Sequence, residues 1–216
     1  MHIWTICGGD PLGGSLSPFV AYKHASWEID EDAVAQRRSE DGASCAVLRA
    51  HAHHFTILDC IYRQDPENGE FLYDSEESLW GPLHPVDAHL VGRLSDQFAS
   101  ELPARVEIVC PLALGDHVDH RLTRAAAEAL GRPLWYYADY PYAQRDAGQL
   151  KALHQAGWKP VLMDVSDDGM RAWERSVAAH ASQISTFWSA VPEMMTALQD
   201  YRSQAGGIYL WRAPPG

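Results

Sequence analysis

Short apolar runs and longer amphipathic stretches take turns along this chain, and that alternation constrains the fold more than any other feature. Strand-like runs occupy residues 1–7, 53–58, 106–110, 134–137, 158–165 and 208–211. Helix-like stretches fall between them, at 17–27, 30–48, 85–102, 122–130, 168–181 and 192–203. Strands that alternate with helices build βαβ units. The expectation is therefore a single α/β domain over residues 1–216 with a mostly parallel sheet. No repeat or low-complexity linker divides the chain.

Local signals support several of these boundaries. Ser17-Pro18 starts a helix sensibly, with serine as cap and proline at the first position. Val86, Leu90, Leu94 and Phe98 recur on one side of 85–102, the clearest amphipathic helix. Gly131 ends the helix before it in the usual way, with Pro133 just beyond. The helix over 30–48 is weaker. Val34, Cys45 and Leu48 share a stripe with Arg38 and Asp41, and Gly42 lowers its propensity. Arg37 and Glu40 stand three apart, a spacing that allows a surface ion pair. Residues 64–85 are polar and rich in turn formers, with Phe71, Leu72 and Tyr73 expected to tuck back.

Charge excludes some function classes. The net charge is −12, which argues against a nucleic-acid surface, since that needs clustered lysine and arginine. It also argues against adhesion to anionic membranes. No apolar run approaches the ~20 residues of a membrane helix, and the first residues do not read as a signal peptide. Cys7, Cys45, Cys60 and Cys110 show no C-x-x-C spacing and lie in or beside apolar runs. Buried thiols in a reducing cytoplasm are expected. His51 and His53 would share one face of a strand while His54 points away, so they do not read as a metal cluster.

The chemistry concentrates at residues 109–121, V-C-P-L-A-L-G-D-H-V-D-H-R. An apolar strand meets a proline–glycine break, then two histidines and two acids, then an alanine-rich helix. Ligands of α/β sheets sit beyond the carboxyl ends of strands, and this junction is such a place. With a helix starting near Asp116, His117 and His120 lie on about the same side of its first turn. Asp119 is placed to accept from a ring N–H and fix its tautomer. An equally weighted reading makes Asp116 a cap and Asp119 a first-turn acid, with both histidines solvated. A catalytic zinc takes three protein ligands, so two histidines are short of a complete set. The glycine-rich loop 8–15 is either a flexible connector or a ligand-approach loop.

The stretch 111–126 resembles the second signature of the PIG-L/LmbE-type de-N-acetylases, a glycine followed by H-x-D-H on a helix. The likeness extends on both sides. Residues 37–41, R-R-S-E-D, are similar to the family's arginine–glutamate helix. Asp59 matches its strand-end aspartate. W-Y-Y-A-D-Y-P-Y at 135–142 resembles the aromatic strand and loop of one bacterial branch, and G-G-D-P at 8–11 with L-S-P-F at 16–19 fits that branch too. The resemblance implies a Rossmann-like three-layer domain and zinc-dependent removal of an N-acetyl group from a sugar-like amine. It implies His120 as a zinc ligand, His117 as stabiliser of the tetrahedral intermediate and Asp119 as its orienting group. It implies Arg37, Asp59, Asp10, Tyr140 and Tyr142 as substrate-binding residues. The implied partner is a small N-acetylated sugar or amine, with a homo-oligomer compatible with the family.

One departure stands out. The family's first signature, A-H-P-D-D-E, supplies two zinc ligands and the general base, and no H-P-D-D or H-x-D-D run occurs here. The opening strand aligns with the family's second strand, so the domain reads as lacking its first. The favoured explanation is a gene start upstream of Met1, and the expectation is no stoichiometric zinc in this chain and a zinc amidohydrolase complete only with an N-terminal extension. The alternative is a metal-free α/β homologue that binds a sugar or nucleotide at the 8–15 and 139–142 loops. A nucleophilic hydrolase ranks lower, because no G-x-S-x-G elbow accompanies Ser15 or Ser17.

Overall fold

A computed structural model describes residues 1–11, 13, 16–27, 32–145, 147–204 and 207–214. In chain order the elements are β1 (His2–Thr5), α1 (Pro18–Ser26), α2 (Ala33–Val47), β2 (His51–His54), α3 (Ala88–Glu101), β3 (Ile108–Pro111), α4 (Val118–Ala129) and β4 (Leu134–Tyr137). They continue with α5 (Tyr142–Arg145), α6 (Ala147–Gln155), β5 (Lys159–Met163), α7 (Asp167–Ala178), α8 (Ala181–Phe187), α9 (Val191–Gln204) and β6 (Ile208–Arg212). The class is α/β. The chain divides into two compact units, residues 1–75 with 164–207 and residues 76–163 with 208–216.

In the first unit β1 and β2 pair in parallel, His2 opposite His51 and Thr5 opposite His54. The helix α2 between them supplies the crossover that parallel pairing requires. The second strand begins two residues earlier than the sequence suggests. Residues 55–58 carry only isolated bridges, Cys7 with Thr56 and Gly9 with Leu58. Gly9 has no room for a side chain, because a Cβ there would lie 2.3 Å from the Thr56 carbonyl oxygen. The Ser17 hydroxyl accepts from Val20 N–H and starts α1 as expected. Leu12, Gly14, Ser15 and Asp30 lie outside the described residues. The stretch expected as one helix over 168–181 breaks after Ala178, and α8 begins at Ala181.

In the second unit four strands follow the order β3-β4-β6-β5. β3 and β4 are parallel, while β6 runs antiparallel to both β4 and β5. The sequence places β3 near the centre of a sheet. Here it stands first in the order, paired with β4, and Val109 is 47% exposed while Cys110 is buried. The core gathers Cys110, Leu112, Leu134, Tyr136, Ala143 and Trp211. Leu90, Leu94 and Phe98 of α3 are buried as their spacing requires. On α4, Val118, Leu122 and Ala126 are fully buried at four-residue intervals. Gly131 adopts φ +62° just past that helix, the left-handed turn that suits glycine.

Candidate functional site

The β3–α4 junction in the second unit is a strained, heavily tied loop. Leu112, Ala113 and Leu114 are buried. Ala113, Gly115 and Asp116 all take positive φ, at 57°, 83° and 61°. Non-glycine residues in that region cost energy and persist where surrounding contacts hold them. Those contacts are present. Leu112 N–H donates to the Tyr137 carbonyl at 2.9 Å, and Gly81 N–H to the Asp116 carbonyl at 2.8 Å. Arg121 pairs with Asp116 at 2.7 Å, and Arg124 donates to the Leu112 carbonyl at 2.8 Å. Gly115 permits a close approach, since a Cβ there would meet the Tyr142 Cβ at 3.0 Å.

The helix starts later than the sequence suggests. α4 begins at Val118, so His117 itself is the cap, with extended backbone. Its Nδ1 accepts from the Asp119 N–H at 3.3 Å. The two imidazoles still meet, with ring centroids 5.3 Å apart. Asp119 is buried one position into the helix. Asp116, the expected alternative cap, instead carries the ion pair with Arg121.

The carboxylate that meets the His120 ring is Asp139, which the sequence reading placed only in an aromatic loop. Its Oδ1 lies 2.7 Å from His120 Nδ1, and its side chain is 1% exposed. Its Oδ2 accepts from Leu114 N–H at 3.0 Å. A buried carboxylate that already takes one backbone donor is an acceptor, so the proton of neutral His120 sits on Nδ1 and the lone pair on Nε2. His117 has the opposite arrangement. Its Nδ1 accepts, so its proton sits on Nε2. The two neighbouring rings therefore carry their protons on opposite nitrogens. No short motif could reveal this, because Asp139 stands 19 positions from His120 and nothing around it has metal or catalytic spacing.

Aromatic rings complete the surroundings. Trp80 lies 5.1 Å from His117 and 5.5 Å from Tyr142, and Tyr142 lies 5.8 Å from His120. Tyr140 is half-buried beside Asp139. Of the two imidazoles, His120 fits a zinc ligand, with the buried carboxylate behind it that such ligands use. His117 and Asp119 also bring ligand atoms within 4.8 Å of one another, and His117 Nδ1 takes the Asp119 N–H at 3.3 Å.

The first unit holds a pocket of about 130 Å³, lined among others by Arg37, Asp41, Asp59, His180 and Gln183. Arg37 is not paired with Glu40, as helical spacing allowed. It donates to Asp59 at 3.2 Å and to Gln183 at 3.3 Å, and lies 5.0 Å over the Trp27 ring. Glu40 accepts instead from the Ser182 N–H and hydroxyl. Asp10 is exposed and pairs with Arg38 at 2.8 Å. Asp41 accepts from the Thr5 hydroxyl and meets His54 Nε2 at 2.7 Å. His54 thus turns to α2, while the His51 ring stacks on His2 and His53 packs near Trp4. Burial lowers the pKa of His180, with Asp41 and Glu40 opposing and Arg37 reinforcing the shift.

No protein-family model matches the sequence, and no curated protein matches it. Solved structures do match. The zinc-inhibited form of teicoplanin deacetylase Orf2 superposes with TM-score 0.77 and 24% identity, over 99% of this chain and 88% of that one. A deacetylase–teicoplanin complex matches with TM-score 0.73 and 23% identity, over 98% and 87%. The A40926 pseudoaglycone deacetylase Dbv21 matches with TM-score 0.66 and 25% identity, over 97% and 83%. Among the described residues no helix is long and apolar enough to cross a membrane. The α/β fold of this chain is the fold of these deacetylases.

Proposed function

We propose that this protein is a deacetylase-type amidohydrolase that removes an N-acetyl group from a sugar-like amine. The observation that carries the reading is the pair of complementary imidazoles, His117 and His120, backed by buried Asp139 on a fold shared with deacetylases. The PIG-L/LmbE-type motif resemblance agrees with it.

Amide hydrolysis needs a donor where the acyl oxygen gains charge. His117 presents its Nε2–H for that task. Asp119 orients this ring through its main-chain N–H on Nδ1. His120 is proposed as a zinc ligand through Nε2, held by Asp139. A zinc ion there would polarise the carbonyl and acidify a water. The sequence contains no H-P-D-D run, and the protein is proposed to hold less than one zinc per chain without excess metal. Arg37, Asp59 and Asp10 are assigned to substrate hydroxyls, and Tyr140 and Tyr142 to the face of a sugar ring. We place the protein in the cytoplasm.

Acetate release from N-acetylglucosamine conjugates, with zinc in excess, tests the reading. Release by the wild type and its loss in His120→Ala support it. No release above buffer, or equal release by the variant, removes it. A second reading, a metal-free sugar or nucleotide binder, is favoured by the pocket at Arg37, whose donors and acceptors suit hydroxyl groups. In that case ligand binding persists unchanged in His120→Ala.

A further inference from the structure

A cleft of about 580 Å³ lies between α7 and α9 of the first unit. Facing helices ordinarily meet through apolar stripes. Here the stripes are mostly polar. Met170, Arg171 and Glu174 line the cleft from α7 at one-turn spacing, and Gln199, Arg202 and Ser203 line it from α9 in the same way.

Glu174 is the group that packing does not explain. It is only 5% exposed. Its Oε1 accepts from Gln199 Nε2 at 2.7 Å. Among the described residues no hydrogen bond or ion pair reaches Oε2. That oxygen is not sealed inside the protein either, so it opens on the cleft that Glu174 lines. A buried carboxylate is costly unless a cation or several donors face it, and one neutral amide is short of that.

The nearby arginines are engaged elsewhere. Arg171 stands close enough to feel the Glu174 charge, but its guanidinium pairs with Asp168. Arg202 donates to Asp167 at 3.1 Å and to the Val165 carbonyl at 2.8 Å. The missing counter-charge therefore has to come from the cleft.

We propose that the α7–α9 cleft binds a small primary ammonium ion, with Glu174 Oε2 as its counter-ion. Gln199 adds a second acceptor, because its Nε2 is committed to Glu174 and its amide oxygen stays available. Buried Met170 gives the carbon body of the amine an apolar wall. With two guanidinium groups beside it, the cleft suits one ammonium charge rather than several. The site lies within the first unit and does not rest on the deacetylase reading.

Nitrogen-15 chemical-shift mapping with protonated glucosamine, without added zinc, tests the site. N-acetylglucosamine keeps the sugar ring and lacks the ammonium group. Glucosamine is expected to shift the backbone signals of residues 170–174 and 199–203 saturably. Read from the same signals, N-acetylglucosamine should bind at least about 10-fold more weakly, the loss that a hydrogen bond to a charged group implies. Glu174→Gln keeps an acceptor for Gln199 and removes the charge, and should weaken glucosamine binding by a similar factor. His120→Ala should leave it unchanged. Shifts that are absent or confined to other residues, equal affinity for the two sugars, equal affinity in folded Glu174→Gln, or loss in His120→Ala would overturn the proposal. Should Glu174→Gln fail to fold, the two sugars compared on wild type decide the question alone. If glucosamine binds here while no acetate is released, the ammonium site stands and the deacetylase reading falls.

Discussion

His120 Nδ1 lies 2.7 Å from an oxygen of Asp139, and the other oxygen of that carboxylate takes the Leu114 N–H. The two contacts tie the histidine to the strained loop 112–117 through one buried group. Asp139 thus sets the His120 tautomer and also fastens the backbone that carries the site. Its replacement should be felt in both roles.

Asp139→Asn separates them. An asparagine has one acceptor and one donor end, and both of its neighbours here are donors. If its oxygen stays on Leu114 N–H, its NH₂ faces His120 and moves the ring proton to Nε2. Zinc affinity and activity are then expected to fall by about 10- to 100-fold, with the fold retained. Titration calorimetry with zinc, beside circular dichroism, checks this. An unchanged affinity would show that Asp139 does not set the tautomer.

Gly115→Ala should disturb the site without touching its polar groups. Gly115 has φ +83°, and the added methyl would press on Tyr142. The expected destabilisation is about 1–3 kcal/mol, read by urea unfolding. A shift of the His120 ring signals in NMR should accompany it, because Tyr142 leans on that ring.

Acid should weaken the protein through two histidines. His24 is held below the ordinary value of 6.5 by burial, then by Arg37, with Asp59 opposing. His180 is lowered by burial first. A lowered folded-state pKa means that the unfolded chain binds the proton more readily. Their contribution is therefore intact above about pH 6.5 and is lost progressively as pH falls below it. Thermal unfolding across that window should show a declining midpoint, and His180→Gln should flatten the decline. A midpoint that rises on acidification would contradict it.

The core can be graded by burial. Leu94→Ala removes a fully buried side chain of α3 and should cost about 2–5 kcal/mol. Val109→Ala, at an exposed position of β3, should stay within about 0.5 kcal/mol. Equal effects in denaturant unfolding would contradict the packing described.

These contrasts also show what a sequence can carry. Ser17-Pro18, the Leu90–Leu94–Phe98 stripe and Gly131 encode local structure through contacts a few residues long, and each was legible. The same held for the histidines of the junction, whose three-residue spacing survives the later start of α4. Long-range partners were not legible. Arg37 had a helical neighbour at Glu40, but its observed partners are Asp59 and Gln183, 22 and 146 positions away. Asp139 and Trp80 reach the site through sheet pairing and an isolated bridge, which leave no periodic trace. β3 is apolar enough to suggest a central strand, and only the strand order shows its place.

Zinc titration of wild type against His120→Ala, by calorimetry, tests the central claim most directly. If Asp139 holds His120 to offer Nε2 to a metal, the wild type binds zinc at least about 10-fold more tightly than the variant. Indistinguishable isotherms would contradict it, and the site would then have to be explained without a metal at His120.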